Sequence, residues 1–222
     1  MRFVLALSAL LTLAAAPPPP KAVDWTKTVA RAPSGGFLIG NPAAKIRLVE
    51  YMSYTCSHCQ HFATESAVPL MRDHVATGNV SFEVRNFMLN GLDFTFALVA
   101  RCGGVAKFKG NHEAIFANQQ ALLTRGSRFN PATYAKDPVA GMKAWARASG
   151  IVDLMAKRGI PAAAIDQCIA DKAEQGRLQG MTRDAVDVKK LSGTPSFFIN
   201  DQPIAGGTWS SVEFDLQQAQ KS

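Results

Sequence analysis

Alternating and continuous apolar runs near both ends of the chain predict β-strands, because side chains two positions apart lie on the same face of a sheet. The first group of strands is predicted at residues 37–39, 45–54 and 80–87. The second group is predicted at residues 196–199 and 202–204, followed by a closing helix over residues 210–220. The pattern therefore predicts two strand-rich segments that are far apart in the chain.

Between these segments the apolar positions have helical spacing. Helices are predicted at residues 92–102, 107–123, 138–148, 151–157, 161–170 and 172–191. A further helix is predicted directly after Cys56, and Pro69 predicts a kink or a break in it because proline lacks the N–H that the helix needs. The middle of the chain is therefore predicted to be helical.

This order of elements predicts one α/β domain whose sheet is split by a helical insertion. The first half is predicted over residues 35–90, the insertion over 91–190 and the second half over 191–222. Residues 17–34 are polar and rich in proline, so we expect an extended segment before the fold, with Trp25 docking on it. The hydrophobic content of 47% is enough for a substantial core.

The sequence Cys56-Ser57-His58-Cys59 stands where a predicted strand meets a predicted helix. A thiolate at Cys56 would face the free N–H groups and the positive dipole end of that helix, which lower its pKa. We therefore expect Cys56 to be the nucleophile. Cys59, one turn later on the packed face, is expected to be the resolving thiol. His58 is expected to stabilise the Cys56 thiolate by charge or by a hydrogen bond.

Two other interpretations of the cysteine pair stay open at this level. His58 and His61 could join the two thiols in a zinc or copper site, although Cys102 and Cys168 are isolated and form no second Cys-x-x-Cys pair. The pair could also be an inert structural disulfide. Attached haem is disfavoured because Gln60 follows Cys59. We favour redox chemistry and assign no metal ligands.

The first residues predict export. An apolar stretch over residues 3–13 follows Arg2 and precedes Ala14-Ala15-Ala16, which is typical of a secretory signal peptide over residues 1–16, cleaved after Ala14 or Ala16. Export places the cysteines in an oxidising compartment, expected to be the periplasm. The net charge of +7 is spread along the chain and favours solubility, with no basic run that indicates nucleic acid.

Glu50, the Cys56–Cys59 pair, the helical middle and the run Gly193-Thr194-Pro195-Ser196-Phe197-Phe198-Ile199 together resemble the DsbA-like branch of the thioredoxin fold. The resemblance covers residues 35–220. It implies a thioredoxin-like α/β fold with the helical insertion between a βαβ half and a ββα half. It also implies an activity, that of a thiol:disulfide oxidoreductase.

The resemblance also implies roles for single residues. Pro195 is expected to form a cis peptide bond against the reactive pair, and Thr194 to offer backbone groups to an extended substrate. Glu50 is expected to be a buried acid beneath Cys59 that exchanges a proton with it. Cys102 and Cys168 are expected to form a second, non-catalytic disulfide inside the insertion.

The expected function is that of an exported oxidase that donates the Cys56–Cys59 disulfide to reduced, folding secreted proteins. The resemblance implies reoxidation by a membrane-bound, quinone-linked partner, and we expect a monomer without a bound cofactor. An isomerase or reductase is the first alternative, because Thr194 also occurs before the cis-proline of isomerase relatives. Those isomerases usually carry a separate N-terminal dimerisation domain, for which the segment before Gly35 is too short. A periplasmic metal-binding protein is the second alternative.

Overall fold

A mixed sheet organises the fold in the computed structural model, which describes residues 23–221. Its six strands are β1 (Val29–Arg31), β2 (Phe37–Gly40), β3 (Ile46–Met52), β4 (Val80–Asn86), β5 (Ser196–Ile199) and β6 (Gln202–Ile204). Their spatial order is β1-β2-β4-β3-β5-β6. β3 and β4 pair in parallel, and the other neighbours pair antiparallel. The central strand β3 is therefore flanked on both sides, and the segment with Cys56 and Cys59 follows its carboxyl end.

Helices cover the sheet and fill the sequence between β4 and β5. They are α1 (Ser57–Ser66), α2 (Gly91–Ala100), α3 (Gly104–Ala117), α4 (Gln119–Gly126), α5 (Pro138–Ser149), α6 (Ile151–Ala156), α7 (Ala162–Ala170), α8 (Lys172–Arg183) and α9 (Trp209–Ala219). Several begin at a side chain that accepts a hydrogen bond from the first turn, such as Asn90 for α2 and Asp171 for α8. Helices α2 to α8 form the insertion, which confirms an α/β fold with a sheet split by helices.

The sheet buries apolar side chains on both faces. Leu48 and Met52 of β3 point into the main core, where they meet α1 and the insertion. Val49 and Tyr51 alternate with them and pack on the opposite face with Phe198. This two-sided burial explains why β3 is apolar over most of its length, and it makes the acidic residue Glu50 in the middle of the strand conspicuous.

The predicted start of the folded domain at Gly35 is wrong. β1 lies before it and pairs antiparallel with β2, from Val29 opposite Ile39 to Arg31 opposite Phe37. A three-residue, half-exposed edge strand carries too little alternation to be recognised in sequence. Trp25 does dock on the core, and its indole lies so close to Gly78 that an added Cβ there would meet Nε1 at 2.7 Å.

Two predicted helices have different bounds in the structure. The helix predicted over residues 107–123 is two helices, α3 and α4, separated at Asn118, whose side chain donates to the Ala114 carbonyl and competes with the helical backbone. The helix predicted over residues 172–191 leaves α-helical geometry after Arg183 and continues as the π-helix Asp184–Val188. The break predicted at Pro69 is present, because α1 ends at Ser66 and the π-helix Leu70–His74 follows.

The predicted signal peptide at residues 1–16 lies outside the described residues. Within residues 23–221, no helix combines the length and the apolarity needed to cross a bilayer.

Candidate active site

Cys56 is the residue that caps the N-terminus of α1. The turn after β3 brings it there in an extended conformation, with φ −88° and ψ 123°. Its Sγ accepts a hydrogen bond from the Cys59 backbone N–H at 3.4 Å. Its thiol also donates to the Thr194 carbonyl oxygen at 3.3 Å. The predicted nucleophile therefore lies between a helix N-terminus and the loop that precedes β5.

Hydrogen-bond donors around Cys56 make its thiol strongly acidic. The Cys59 side chain, hydrogen-bonded to the Cys56 sulfur, is the largest influence and lowers the pKa of Cys56 to about 5, against an opposing effect of burial. The Thr194 side chain and the backbone N–H groups of Cys59 and His58 lower this pKa further. The buried Thr194 hydroxyl has no hydrogen-bond partner of good geometry, so it is available to a thiolate. Cys56 is therefore a thiolate at neutral pH.

Cys59 has the opposite environment only one turn along α1. Its side chain is completely buried, and burial raises its pKa far above the ordinary range of a thiol. The hydrogen bond to Cys56 and the charge of Glu50 add to this increase. Cys59 is therefore a protonated thiol whenever Cys56 is a thiolate. This asymmetry suits a pair in which one sulfur meets the substrate and the other completes the exchange.

Glu50 lies inside the main core, on the central strand. Its neighbours across the sheet are Val84 on β4 and Phe197 on β5. It is 1% exposed, and its Oε1 has no hydrogen-bond partner. Burial, and to a lesser extent the charge of Cys56, raises the pKa of Glu50 well above its usual range. A carboxyl group that is neutral in this position is able to exchange a proton with a nearby thiol.

Thr194 and Pro195 form the other side of the site. The peptide bond between them is cis, and the Thr194 carbonyl faces Cys56. Ser196 donates a side-chain hydrogen bond to the Gly193 carbonyl at 2.8 Å, which holds this loop at the start of β5. The structure thus brings Thr194 beside Cys56 although 138 positions separate them in sequence. Their role in binding substrate stays a prediction.

The His58 side chain is exposed on the first turn of α1. Its imidazole makes no hydrogen bond with any of the residues that the structure describes, and only its backbone N–H contributes to lowering the pKa of Cys56. The predicted influence of the imidazole on the thiolate therefore has no contact to support it in this conformation. His112, by contrast, is buried and forms a 3.0 Å hydrogen bond with the Tyr54 hydroxyl.

Sequence reasoning missed two residues that hold the active-site turn. Gln119, the first residue of α4, donates from Nε2 to the carbonyls of Tyr54 at 3.0 Å and Cys56 at 2.9 Å. Asp93 on α2 accepts the Tyr54 N–H at 2.8 Å, and burial raises its pKa to about 6. Asp93 follows the capping residue Asn90 by three positions, a spacing that indicates a helix start, whereas no sequence signal distinguishes Gln119.

The other two cysteines form a disulfide within the insertion. Cys102 follows α2, and Cys168 lies on α7, with 5.6 Å between their Cα atoms and 66 positions between them in sequence. Cys56 and Cys59 are free thiols, so the structure describes the reduced pair. Among residues 23–221, no group of three or more His, Cys, Asp or Glu side chains is placed to hold a metal ion.

Proteins similar to this chain include some that are named oxidoreductases or isomerases of protein disulfides. Two curated relatives, from Rickettsia prowazekii and Rickettsia felis, are each named "Putative protein-disulfide oxidoreductase" and are each 24% identical to this chain. The matches cover 79% and 82% of this chain but 58% and 59% of the relatives. The chain therefore spans about three fifths of the length of these curated relatives.

Solved structures extend the comparison to the fold. The crystal structure of a protein-disulfide isomerase from Novosphingobium aromaticivorans is 33% identical, with a TM-score of 0.77 over 83% of this chain and 97% of that one. The crystal structure of Wolbachia pipientis alpha-DsbA1 is 20% identical, with a TM-score of 0.64 over 83% of this chain and 88% of that one. At this identity the similarity supports the fold and not the activity. The family model described as Thioredoxin matches residues 33–214. The chain therefore belongs to the thioredoxin family, and its fold is that of the DsbA-like oxidoreductases to which it is similar.

Proposed function

We propose that this chain is an exported oxidase that donates the Cys56–Cys59 disulfide to folding secreted proteins. The observation that carries the proposal is the low pKa of Cys56, about 5, beside a buried Cys59 whose pKa is raised. A stabilised thiolate favours the dithiol over the disulfide. The disulfide form is then a strong oxidant, as a donor of disulfides requires.

The proposed reaction exchanges one disulfide for another. A substrate thiolate attacks Cys56 Sγ and forms a mixed disulfide, while the Cys56–Cys59 bond breaks and Cys59 leaves with its electron pair. Because Cys59 holds a proton strongly, it takes one from the neutral Glu50 carboxyl. A second substrate thiolate then attacks the substrate sulfur and expels Cys56 as a thiolate. The substrate is oxidised by two electrons, and the enzyme is left as the dithiol.

The substrate is proposed to bind as an extended segment at Thr194-Pro195. The Thr194 carbonyl lies 3.3 Å from Cys56 Sγ, so a peptide that pairs with this backbone would hold its cysteine close to the reactive sulfur. Pro195 has no N–H to compete for the peptide's acceptors. The surface around the exposed His58 would form the other border of this peptide site.

Export, reoxidation and assembly complete the proposal. Residues 1–16 would direct the chain to the periplasm, where reduced secreted proteins are the substrates. A membrane-bound, quinone-linked partner would reoxidise the dithiol, and the chain would act as a monomer. Recovery from the periplasm of a chain that begins after Ala14 or Ala16 is the expected result of fractionation and N-terminal sequencing.

An isomerase is the second candidate, and two observations favour it. The Novosphingobium aromaticivorans protein, 33% identical, is described as a protein-disulfide isomerase. Thr194 also precedes the cis-proline here, as in isomerase relatives. An isomerase works from the reduced pair on wrong disulfides, whereas an oxidase works from the oxidised pair on free thiols.

The deciding experiment combines a potential with two refolding assays. Equilibration with glutathione buffers is expected to give Cys56–Cys59 a potential less negative than about −180 mV. The oxidised protein should restore activity to reduced ribonuclease A faster than the dithiol restores it to scrambled ribonuclease A. A potential near −270 mV, typical of a reductant, or faster recovery of the scrambled substrate, would refute the oxidase.

Two controls make the experiment specific. Cys56→Ser should lose both activities, because no mixed disulfide forms. His58→Ala, compared with His61→Ala, tests the imidazole, because both histidines are exposed on the same helix but only His58 lies between the cysteines. A shift of the potential toward reducing values in His58→Ala alone would support the predicted role of His58. Equal redox potentials in His58→Ala and His61→Ala would contradict the predicted role of His58.

A further inference from the structure

A cavity of about 480 Å³ opens between α1 and α3, on the main-core side of the sheet. Its deep walls are aromatic and aliphatic side chains that the structure buries. They are Ile39, Phe62, Leu70, Phe82 and Phe116. Among the described residues, the cavity lining includes neither of the active-site cysteines nor Thr194 or Pro195. The cavity is therefore separate from the site proposed for substrate peptides.

Glu50 provides one polar group in the depth of this apolar cavity. It lines the cavity, it is 1% exposed, and its Oε1 has no hydrogen-bond partner. A buried polar atom without a partner destabilises the fold, so a ligand that forms a hydrogen bond with it gains affinity from that bond. The orphan oxygen thus marks where the polar end of a ligand would lie.

The described lining residues include four titratable side chains. Glu50 and His112 lie in the interior of the cavity, and Lys109 and Glu113 lie at its mouth. Lys109 and Glu113 form an ion pair of 2.5 Å between successive turns of α3. His112, deeper in the wall, is buried, and burial together with the charge of Lys109 lowers its pKa to about 3, so its ring is neutral. The interior therefore lacks a fixed charge at neutral pH, which disfavours an ionic ligand.

We propose that this cavity is a binding site for a small neutral molecule with an apolar body and one hydrogen-bonding head, placed with its head on Glu50. The volume lies in the range of small-molecule sites, about 300–1,000 Å³. A hydroxyl or carboxamide head suits a neutral carboxyl group because each both donates and accepts a hydrogen bond. The apolar walls would hold an aryl or alkyl body.

The site also has a consequence for catalysis, and only this consequence rests on the proposed function. Glu50 is the group that exchanges a proton with Cys59 in the proposed reaction. A ligand head on Glu50 would hold that proton, so binding should slow the exchange between substrate and enzyme without blocking access to Cys56. Because binding and redox chemistry are then coupled, the dithiol and disulfide forms should bind the ligand with different affinities.

Three probes with the same phenylethyl body test the site. They are 2-phenylethanol with a hydroxyl head, 2-phenylethylamine with an amine head, and ethylbenzene, which has no head. Titration of the dithiol protein, followed by backbone amide chemical shifts, should show saturable changes at residues of α1 and α3 that line the cavity. We expect 2-phenylethanol to bind about fivefold more tightly than ethylbenzene, as one hydrogen bond allows. If the amine, which is charged at neutral pH, bound more tightly than the alcohol, the proposed preference for a neutral head would be wrong.

Variants locate the binding. Glu50→Leu should keep ethylbenzene binding and lose the preference for the alcohol. Ala63→Phe should fill the cavity and weaken all three probes at least tenfold, whereas Ala121→Phe, the same change at an exposed position on α4, should leave their binding unchanged. Ala117→Phe at the exposed mouth serves as a second filling variant if Ala63→Phe does not fold by circular dichroism.

The proposal is overturned if 2-phenylethanol gives no saturable shift, if it binds no better than ethylbenzene, or if both filling variants bind as the unaltered protein does. These measurements use the dithiol protein alone, with no substrate and no electron transfer. They therefore stand whether the enzyme proves to be an oxidase or an isomerase. A bound ligand that leaves the rate of disulfide exchange unchanged would overturn only the link to catalysis.

Discussion

At the scale of single residues, the two thiols of the Cys56–Cys59 pair have opposite environments although only two residues separate them. Cys56 faces backbone N–H groups and the Thr194 loop, and its pKa falls to about 5. Cys59 is surrounded by the core and by Glu50, and its pKa rises. One helical turn separates a sulfur that leaves easily as a thiolate from one that retains its proton.

The low pKa of Cys56 predicts how the stability of the dithiol protein depends on pH. Its pKa is about 5 in the folded chain and about 8.5 in an unfolded one. Between these values the unfolded state binds a proton that the folded state does not, so this group makes stability rise with pH. The contribution is complete above pH 8.5 and is lost as the pH falls through 5.

Urea unfolding of the dithiol and disulfide forms over this pH range checks the prediction. As the pH rises from 5 to 8, the unfolding free energy of the dithiol form should increase relative to that of the disulfide form. Cys56→Ser should lack this pH dependence. A dithiol whose relative stability is flat over the range, or thiolate absorbance that titrates near 8.5, would contradict it.

At the scale of elements, the reactive turn is held by helices of the insertion as well as by α1 itself. Gln119 at the start of α4 is 4% exposed, and its amide donates to the carbonyls on either side of Thr55. The amide thereby fixes the entry of the chain into α1. The N–H groups that stabilise the Cys56 thiolate depend on that entry geometry.

Gln119→Ala is therefore expected to loosen the turn. It removes two hydrogen bonds and leaves two buried carbonyls without this donor, which should lower the unfolding free energy by about 1–3 kcal/mol. The pKa of Cys56 should rise toward the ordinary thiol range, measured by thiolate absorbance against pH. Gln120→Ala is the matched control, because Gln120 is exposed and bonds only within α4. An unchanged Cys56 titration in Gln119→Ala would show that α4 has no part in positioning the thiol.

At the scale of the whole molecule, the insertion lies between the two halves of the sheet in sequence and is closed by its own disulfide. Cys102–Cys168 spans 66 positions, from the end of α2 to α7. A cross-link over a loop of this length restricts the unfolded chain strongly. In the chain-entropy model its contribution to stability is about 4 kcal/mol.

Replacing both cysteines, as Cys102→Ser/Cys168→Ser, should lower the unfolding free energy by up to about 4 kcal/mol in urea. The Cys56–Cys59 pair should still react with substrate thiols at a temperature where the variant is folded, because neither residue contacts the reactive sulfurs. Circular dichroism and a single-turnover exchange assay measure these two properties. An unfolding midpoint equal to that of the unaltered protein would contradict a stabilising role for the bridge.

Local sequence patterns contained much of the fold and the centre of the site. The strand and helix periods predicted the split sheet, and the junction before Cys56 predicted a thiol at a helix N-terminus, because hydrophobic period and capping act over a few residues. β1 and the break at Asn118 were missed, because one depends on a partner strand and the other on a single competing side chain.

Only the tertiary structure decided which distant groups meet the two thiols. Thr194 reaches Cys56 across 138 positions, and Gln119 reaches its carbonyl across 63. The orphan oxygen of Glu50 and the cavity beside it likewise arise from the packing of α1 and α3 on the sheet. Such contacts depend on packing between remote segments, which local propensity does not encode. By itself, the sequence determined that a Cys-x-x-Cys pair stands at a strand–helix junction, and tertiary packing decided how acidic each sulfur is.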